Sequence, residues 1–299
     1  MPGDSLNWWV HNRFFRGIVG FLLLILPCCN QSSEVNSGTY TDIPSPPQNP
    51  ISIQGVEFGK ALFQSNLLSS DGKSSCQSCH HPDTAFSGTI LQKDSDPDFS
   101  RQIPSLLNLA WSKRLFWDGR EENLESLVLK PVQNKHEMNL NLDSMIQSIN
   151  QDVQLKQLCS NAFGVDSIGT VHVARALSQY IRTLVKLPDS APSEGKKLFN
   201  TNCSGCHSGK TFSDFELRKS VLAASGKDSG YYRLTHKMED VFVFKTPGLA
   251  GISQTAPYMH DGRFPDLESV LTSYAMKLHS EDLKQKKNRI EILKFLKQL

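Results

Sequence analysis

Two short stretches decide the reading: Cys76-Gln77-Ser78-Cys79-His80 and Cys203-Ser204-Gly205-Cys206-His207. Cys-x-x-Cys-His is the attachment signature of c-type haem. Two cysteines three apart on a turn reach the two vinyl groups of one porphyrin as thioethers. The histidine that follows lies under the ring and ligates the iron through an imidazole nitrogen. With 7 Cys and 9 His in 299 residues, roughly 0.005 matches are expected by chance, so two are not accidental. A redox dithiol would need neither the histidine nor a second copy, and a zinc site would need four ligands packed together. Cys76, Cys79 and His80, and Cys203, Cys206 and His207, are therefore read as two covalent haem c sites. Cys159, outside both motifs, reads as a buried core thiol.

Working outward, the motifs sit inside a duplication. Gly59-Lys60-Ala61-Leu62-Phe63 precedes the first and Gly195-Lys196-Lys197-Leu198-Phe199 the second. Pro104, Asp118-Gly119-Arg120 and Leu124-Glu125-Ser126 recur at an offset of 143 as Pro247, Asp261-Gly262-Arg263 and Leu267-Glu268-Ser269. Apolar residues keep helical spacing along Leu142, Met145, Ile146, Ile149 and Val153, along Val173, Leu177, Ile181, Leu184 and Val185, and along Leu267, Val270, Leu271, Tyr274 and Leu278. Strand-like alternation is confined to Val241-Phe242-Val243-Phe244. These patterns predict a mainly α protein of two tandem cytochrome c-type domains, each with one covalent haem. The boundary is expected where Pro188-Asp189-Ser190-Ala191-Pro192 breaks the helical pattern, giving domains 51–188 and 189–299.

Ahead of them, positive charge from His11 to Arg16, the apolar run Gly17–Leu26 and Pro27-Cys28-Cys29 read as a signal segment over residues 1–29. The run is too short to span a bilayer. A cysteine directly after it resembles a lipoprotein cleavage site, which would put a lipid anchor on Cys28 or Cys29 and the protein in the periplasm. Residues 30–50, rich in Ser, Asn, Gln and Pro, read as a flexible linker. The net charge of +2 and the lack of a basic run interleaved with aromatics argue against a nucleic-acid partner.

The two iron sites differ in what could stand opposite the histidine. Between His80 and Pro104 the only other histidine is His81, too close to reach the far face, and there is no methionine. The first iron is expected to have a vacant position. In the second copy Tyr274 lies on the apolar stripe of its helix, and a phenolate can ligate haem iron. An ordinary core tyrosine is the competing reading, with Met259 and Met276 as other candidates. At the offset of 143, Tyr274 corresponds to Pro131, which cannot coordinate anything.

Taken in order, Leu62-Phe63, the first haem motif, Pro104-Ser105-Leu106-Leu107-Asn108, Phe116-Trp117-Asp118-Gly119-Arg120, Glu137-Met138, the second haem motif, Phe244-Lys245-Thr246-Pro247 and Ala256-Pro257-Tyr258-Met259-His260-Asp261-Gly262-Arg263 resemble the bacterial di-haem cytochrome c peroxidase and MauG family. The resemblance implies that the N-terminal haem is the peroxide site, that Glu137 is the distal carboxylate that carries a proton between peroxide oxygens, and that Trp117 lies between the haems. It implies an inter-haem calcium ion on the carbonyls of Thr255 and Pro257, with Gln102 standing where the family has an asparagine. Without the resemblance, Glu137 reads as a solvated acid and Trp117 as a core aromatic. Tyr274 and the missing histidine after the first motif match the MauG-like subtype. Leu127 departs from it, replacing a distal glutamine.

The function expected is a periplasmic di-haem peroxidase that reduces hydrogen peroxide. Its electrons would come from a small redox protein, a c-type cytochrome or a cupredoxin. The alternatives are a MauG-like enzyme that oxidises side chains of a protein substrate, and a di-haem electron carrier without catalysis. Homodimers are common in the family.

Overall fold

The computed structural model describes residues 40–88, 100–222 and 228–299. The signal segment with Cys28 and Cys29, and the first ten residues of the linker, lie outside the described residues. Among the described residues, seven helices of eight or more residues carry the fold: α1 (Ile53–Gln64), α2 (Leu142–Ile149), α3 (Val153–Phe163), α4 (Thr170–Arg182), α5 (Glu194–Asn202), α6 (Leu267–Lys277) and α7 (Lys286–Leu296). Five start on a side chain that accepts from an otherwise unpaired backbone N–H: Ser52, Asn141, Asp152, Ser193 and Asp266. One small sheet pairs β1 (Leu217–Lys219) antiparallel with β2 (Val243–Lys245).

The repeat seen in the sequence is repeated as a helix crossing. α1 packs on α4, and α5 packs on α7. In the first crossing a Cβ on Gly59 would stand 2.0 Å from the Ala176 carbonyl oxygen, and in the second a Cβ on Gly195 would stand 2.1 Å from that of Glu291. Only glycine lets the two backbones come so close. Beside each glycine an aromatic pair closes the crossing, Phe63 with Tyr180 at 5.2 Å and Phe199 with Phe295 at 5.1 Å between ring centroids. Two separate apolar clusters result, one from Phe58 to Leu184 that includes Cys159, the other from Leu198 to Leu299.

Four local expectations change. The apolar series ending at Val153 is two helices: Asp152 accepts from Leu155 N at 2.8 Å and starts α3, which leaves Val153 82 % exposed in its first turn. The helix ahead of Pro188 stops earlier, at Arg182, so Leu184 and Val185 lie beyond it. Leu278 follows the end of α6 and is exposed, and β2 starts only at Val243 because Phe242 turns the chain at φ 62°.

Within the segment read as a linker, Asn49 is held by the fold. Asn49 is buried, donates to Glu125 Oε1 at 2.6 Å and accepts from Gln179 Nε2 at 2.8 Å. Glu125 in turn receives both terminal nitrogens of Arg182. The amide closes a polar network that would otherwise be short of partners, so the chain is docked before residue 51.

The two copies meet through reciprocal backbone bonds. Gln102 N donates to His260 O, and Lys245 N donates to Trp117 O, both at 2.8 Å. Residues 102 and 245, like 117 and 260, are 143 apart, so the contact is a pseudo-two-fold one. Arg101 reinforces it by pairing with Asp228 through Nε (2.7 Å) and one terminal nitrogen (2.8 Å), and with Asp118 through the other (2.7 Å). Satisfied charges buried in this way favour one arrangement of the copies over others.

Candidate functional site

Both motifs open onto one cavity of about 1320 Å³. That exceeds the roughly 300–1,000 Å³ usual for a pocket that holds one ligand. Its wall includes Cys76, Cys79, His80, Cys203, Cys206, His207, Trp117, Glu137 and Tyr274. The first motif forms a one-turn helix, Cys76–Cys79, started by Ser75, which accepts from Ser78 N. The second forms a turn directly after α5, with His207 N donating to Cys203 O at 3.0 Å.

The donor chemistry suits two covalent haems. None of the four motif cysteines is paired in a disulfide. Burial pushes the Cys76 thiol up to about 12 and the Cys203 thiol up to about 11. His80 Nδ1 lies 2.9 Å from Phe86 O, and His207 Nδ1 lies 3.2 Å from Phe212 O. A carbonyl can only accept, so Nδ1 carries the proton in each ring and Nε2 keeps its lone pair for a metal. Burial lowers the pKa of both rings, keeping them neutral. Arg101, Arg120, Lys135, Arg218, Lys219, Arg233 and Lys245 line the cavity against the acids Asp118 and Glu137. Arg101 and Arg120 pair with Asp118 and Arg218 pairs with Asp214, while Lys135, Lys219 and Arg233 add positive charge on the wall that would complement porphyrin carboxylates.

Away from the motifs, the walls follow the duplication with different residues. Phe116, Leu127 and Pro131 line the first part, and their counterparts Met259, Val270 and Tyr274 line the second. Burial pushes the Tyr274 phenol up to about 12, with the Cys203 and Cys206 sulfurs adding to the shift. The phenol therefore stays protonated at neutral pH unless a metal displaces the proton. Met276 is 66 % exposed and does not line the cavity, whereas Met259 does.

Glu137 faces the cavity from a tight loop after the one-turn helix Lys130–Gln133. Asn134 Nδ2 donates to its Oε1 at 2.6 Å. Desolvation raises its pKa, opposed by Asn134, Arg120 and His136. The environment can thus hold a proton on this carboxyl or release it. Trp117 lies at the junction of the copies, its Nε1 donating to Gln102 O at 2.7 Å.

Thr255, Pro257 and Gln102 also line the cavity. The Gln102 amide nitrogen faces the Thr255 carbonyl at 3.1 Å. Among the described residues no group of three or more His, Cys, Asp or Glu could hold a metal ion.

Three residues had no assigned task in the sequence. Arg101 stands outside any motif. Lys245 belongs to a quoted motif but shows its burial only in the fold, where desolvation lowers its amine to about 8. Asn134, three residues before Glu137, had the spacing of a local side-chain contact as its one signal.

Residues 53–192 match the di-haem cytochrome c peroxidase family. The chain is 31% identical over 271 residues to the methylamine utilization protein MauG of Methylophilus methylotrophus, covering 84% of this chain and 81% of that protein. It is 33% identical over 253 residues to the MauG of Methylorubrum extorquens, covering 78% and 71%. The fold matches the crystal structure of a MauG-like protein associated with microbial copper homeostasis, with a TM-score of 0.74 at 21% identity over 86% of this chain and 92% of that one.

Proposed function

Since the chain belongs to the di-haem cytochrome c peroxidase and MauG family of oxidoreductases, we propose that it reduces hydrogen peroxide on the His80 side of the cavity with electrons delivered through the His207 side. The observation that carries this reading is the asymmetry of one shared cavity. Glu137 and Pro131 line the first part, and the Tyr274 phenol lines the second at the position that matches Pro131.

Cys76 and Cys79 would hold one haem c and Cys203 and Cys206 the other, with His80 and His207 as iron ligands through Nε2. The haems supply the redox-active iron that peroxide and electrons need. Each turnover consumes hydrogen peroxide, two protons and two electrons and yields two water molecules. Glu137 takes the proton from the peroxide oxygen that enters first and returns it to the oxygen that leaves as water. Asn134 holds the carboxylate oxygen in place for that transfer. Leu127, Val128 and Pro131 keep the surrounding wall apolar, which limits competing water. Pro131 offers no ligand atom on the first side, while Tyr274 would supply a phenolate oxygen to the iron of the second haem. Trp117, bonded to both copies through its Nε1 and carbonyl, is the aromatic path between them.

The donor in this reading is a small redox protein. A second reading, in which the oxidising equivalents are taken from side chains of a protein substrate, is favoured by Tyr274 and by the match to MauG. We place the protein in the periplasm, on the strength of the signal-like segment, with Cys28 or Cys29 as its lipid anchor. Among the described residues no helix is long and apolar enough to cross a membrane.

The test is an electron paramagnetic resonance and absorption spectrum of the oxidised holoprotein before and after one equivalent of peroxide. One high-spin and one low-spin ferric signal are expected, with reaction before any reduction. Two low-spin signals and no reaction until an electron is added would overturn the open-site assignment. They would leave a reductively activated peroxidase or an electron carrier.

A further inference from the structure

Gln102 uses nearly every polar group it has to join the two copies. Its backbone N donates to His260 O at 2.8 Å, and its carbonyl accepts from Trp117 Nε1 at 2.7 Å. Its side chain, in a residue 5 % exposed, points its amide nitrogen at Ser87 Oγ (2.9 Å), Gly88 O (3.2 Å) and Thr255 O (3.1 Å). Two of those three neighbours are carbonyl oxygens, which only accept. The group facing them is therefore the NH2 and not the amide oxygen. Ser87 and Gly88 belong to the first copy and Thr255 to the second, so this one amide spans the junction.

A calcium ion at Thr255 would need that geometry reversed. Calcium takes about 6–8 oxygen ligands at roughly 2.3–2.6 Å. The Thr255 carbonyl instead meets an N–H donor. For Gln102 to act as a ligand its amide would have to turn its oxygen toward the ion and give up its N–H contacts to Ser87, Gly88 and Thr255.

We propose that Gln102 is a metal-free bridge: its amide takes the place of calcium in tying Thr255 to the first copy, and its backbone carbonyl fixes the Trp117 indole. The protein holds the junction of its two haem domains without a divalent cation. Gln102 is a positioning residue, acting on Trp117 and Thr255 and not on peroxide.

The experiment reads metal content and melting, so it stands or falls apart from the peroxide chemistry. Purified holoprotein is dialysed against a calcium chelator, assayed for calcium by elemental analysis, and melted in chelator and in millimolar calcium chloride. No stoichiometric calcium and coincident melts are expected. One calcium retained per chain, or a melting point that drops by more than about 3 °C in chelator and recovers with calcium, would overturn the proposal. The variant Gln102→Glu turns three bonded neighbours toward a carboxylate, two of them carbonyl oxygens that repel it. It is expected to melt lower than the parent in chelator and to regain stability with calcium chloride, an acquired metal dependence that loss of packing would not produce. A Gln102→Glu protein as stable as the parent in chelator would show that the N–H donors hold nothing. If the variant does not fold, the measurement on the parent decides the matter.

Discussion

Replacing Glu137 by Gln isolates the proton carrier from everything else at that position. Gln keeps a carbonyl oxygen for Asn134 Nδ2, which now bonds Glu137 Oε1 at 2.6 Å. The loop is held independently by backbone bonds, Glu137 N to Asn134 O at 3.0 Å, Met138 N to Pro131 O at 3.2 Å and Leu140 N to Val132 O at 2.8 Å. Exchanging a charge-assisted bond for a neutral one costs about 1 kcal/mol, and removing a partly desolvated charge offsets some of it. The melting point should move by no more than about 4 °C. A positioned acid–base group contributes about 10²–10⁴ in rate, equivalent to about 2.7–5.5 kcal/mol of barrier. Stopped-flow mixing of oxidised holoprotein with peroxide reads that loss directly. The pH profile gives a second signature. Desolvation of its carboxyl against the cavity wall raises the Glu137 pKa, so the base form is gained as pH rises through that raised value, and the parent's rate should rise with it. The variant should be flat over the same range. A rate within about threefold of the parent, well short of that 10²–10⁴, would remove Glu137 from the mechanism.

Three other outcomes follow from the same geometry. Asn134→Ala removes a contact that lowers the Glu137 pKa, so the acid limb of the peroxide rate should shift to higher pH while both haems stay attached; an unmoved limb would mean that Asn134 only shapes the loop. Tyr274→Phe should keep haem covalently bound to Cys203 and Cys206, visible as haem stain on a denaturing gel, but should change the low-spin ferric signal; an unchanged spectrum would assign the ligand elsewhere, with Met259 the next candidate. Gly195→Ala places a methyl 2.1 Å from the Glu291 carbonyl and should destabilise the α5–α7 crossing by about 1–3 kcal/mol, read as a lower urea midpoint with unchanged slope.

The duplicated glycine and aromatic positions were visible as Gly59 with Phe63 and Gly195 with Phe199, because a repeated helix crossing repeats the residues that shape it. Their partners Ala176 and Glu291 were not, since nothing local marks which carbonyl a distant helix will present. The same limit applies to Asn49. Its surroundings read as a polar tether, and only Gln179 and Glu125, brought from distant parts of the chain, make it part of the core.

The sequence by itself determined the haem-attachment motifs, the mainly helical class and the tandem repeat. Each rests on short-range chemistry or periodicity: two thiols and an imidazole at fixed spacing, and apolar residues every three or four positions. Tertiary structure decided what lies between the copies. The pairing of Gln102 with His260 and of Lys245 with Trp117, the clasp of Arg101 on Asp228, and the amide at Thr255 join residues far apart in the chain. Burial then set the chemistry of Lys245 and Tyr274, because removal from water changes the cost of charge, and composition carries no record of that removal.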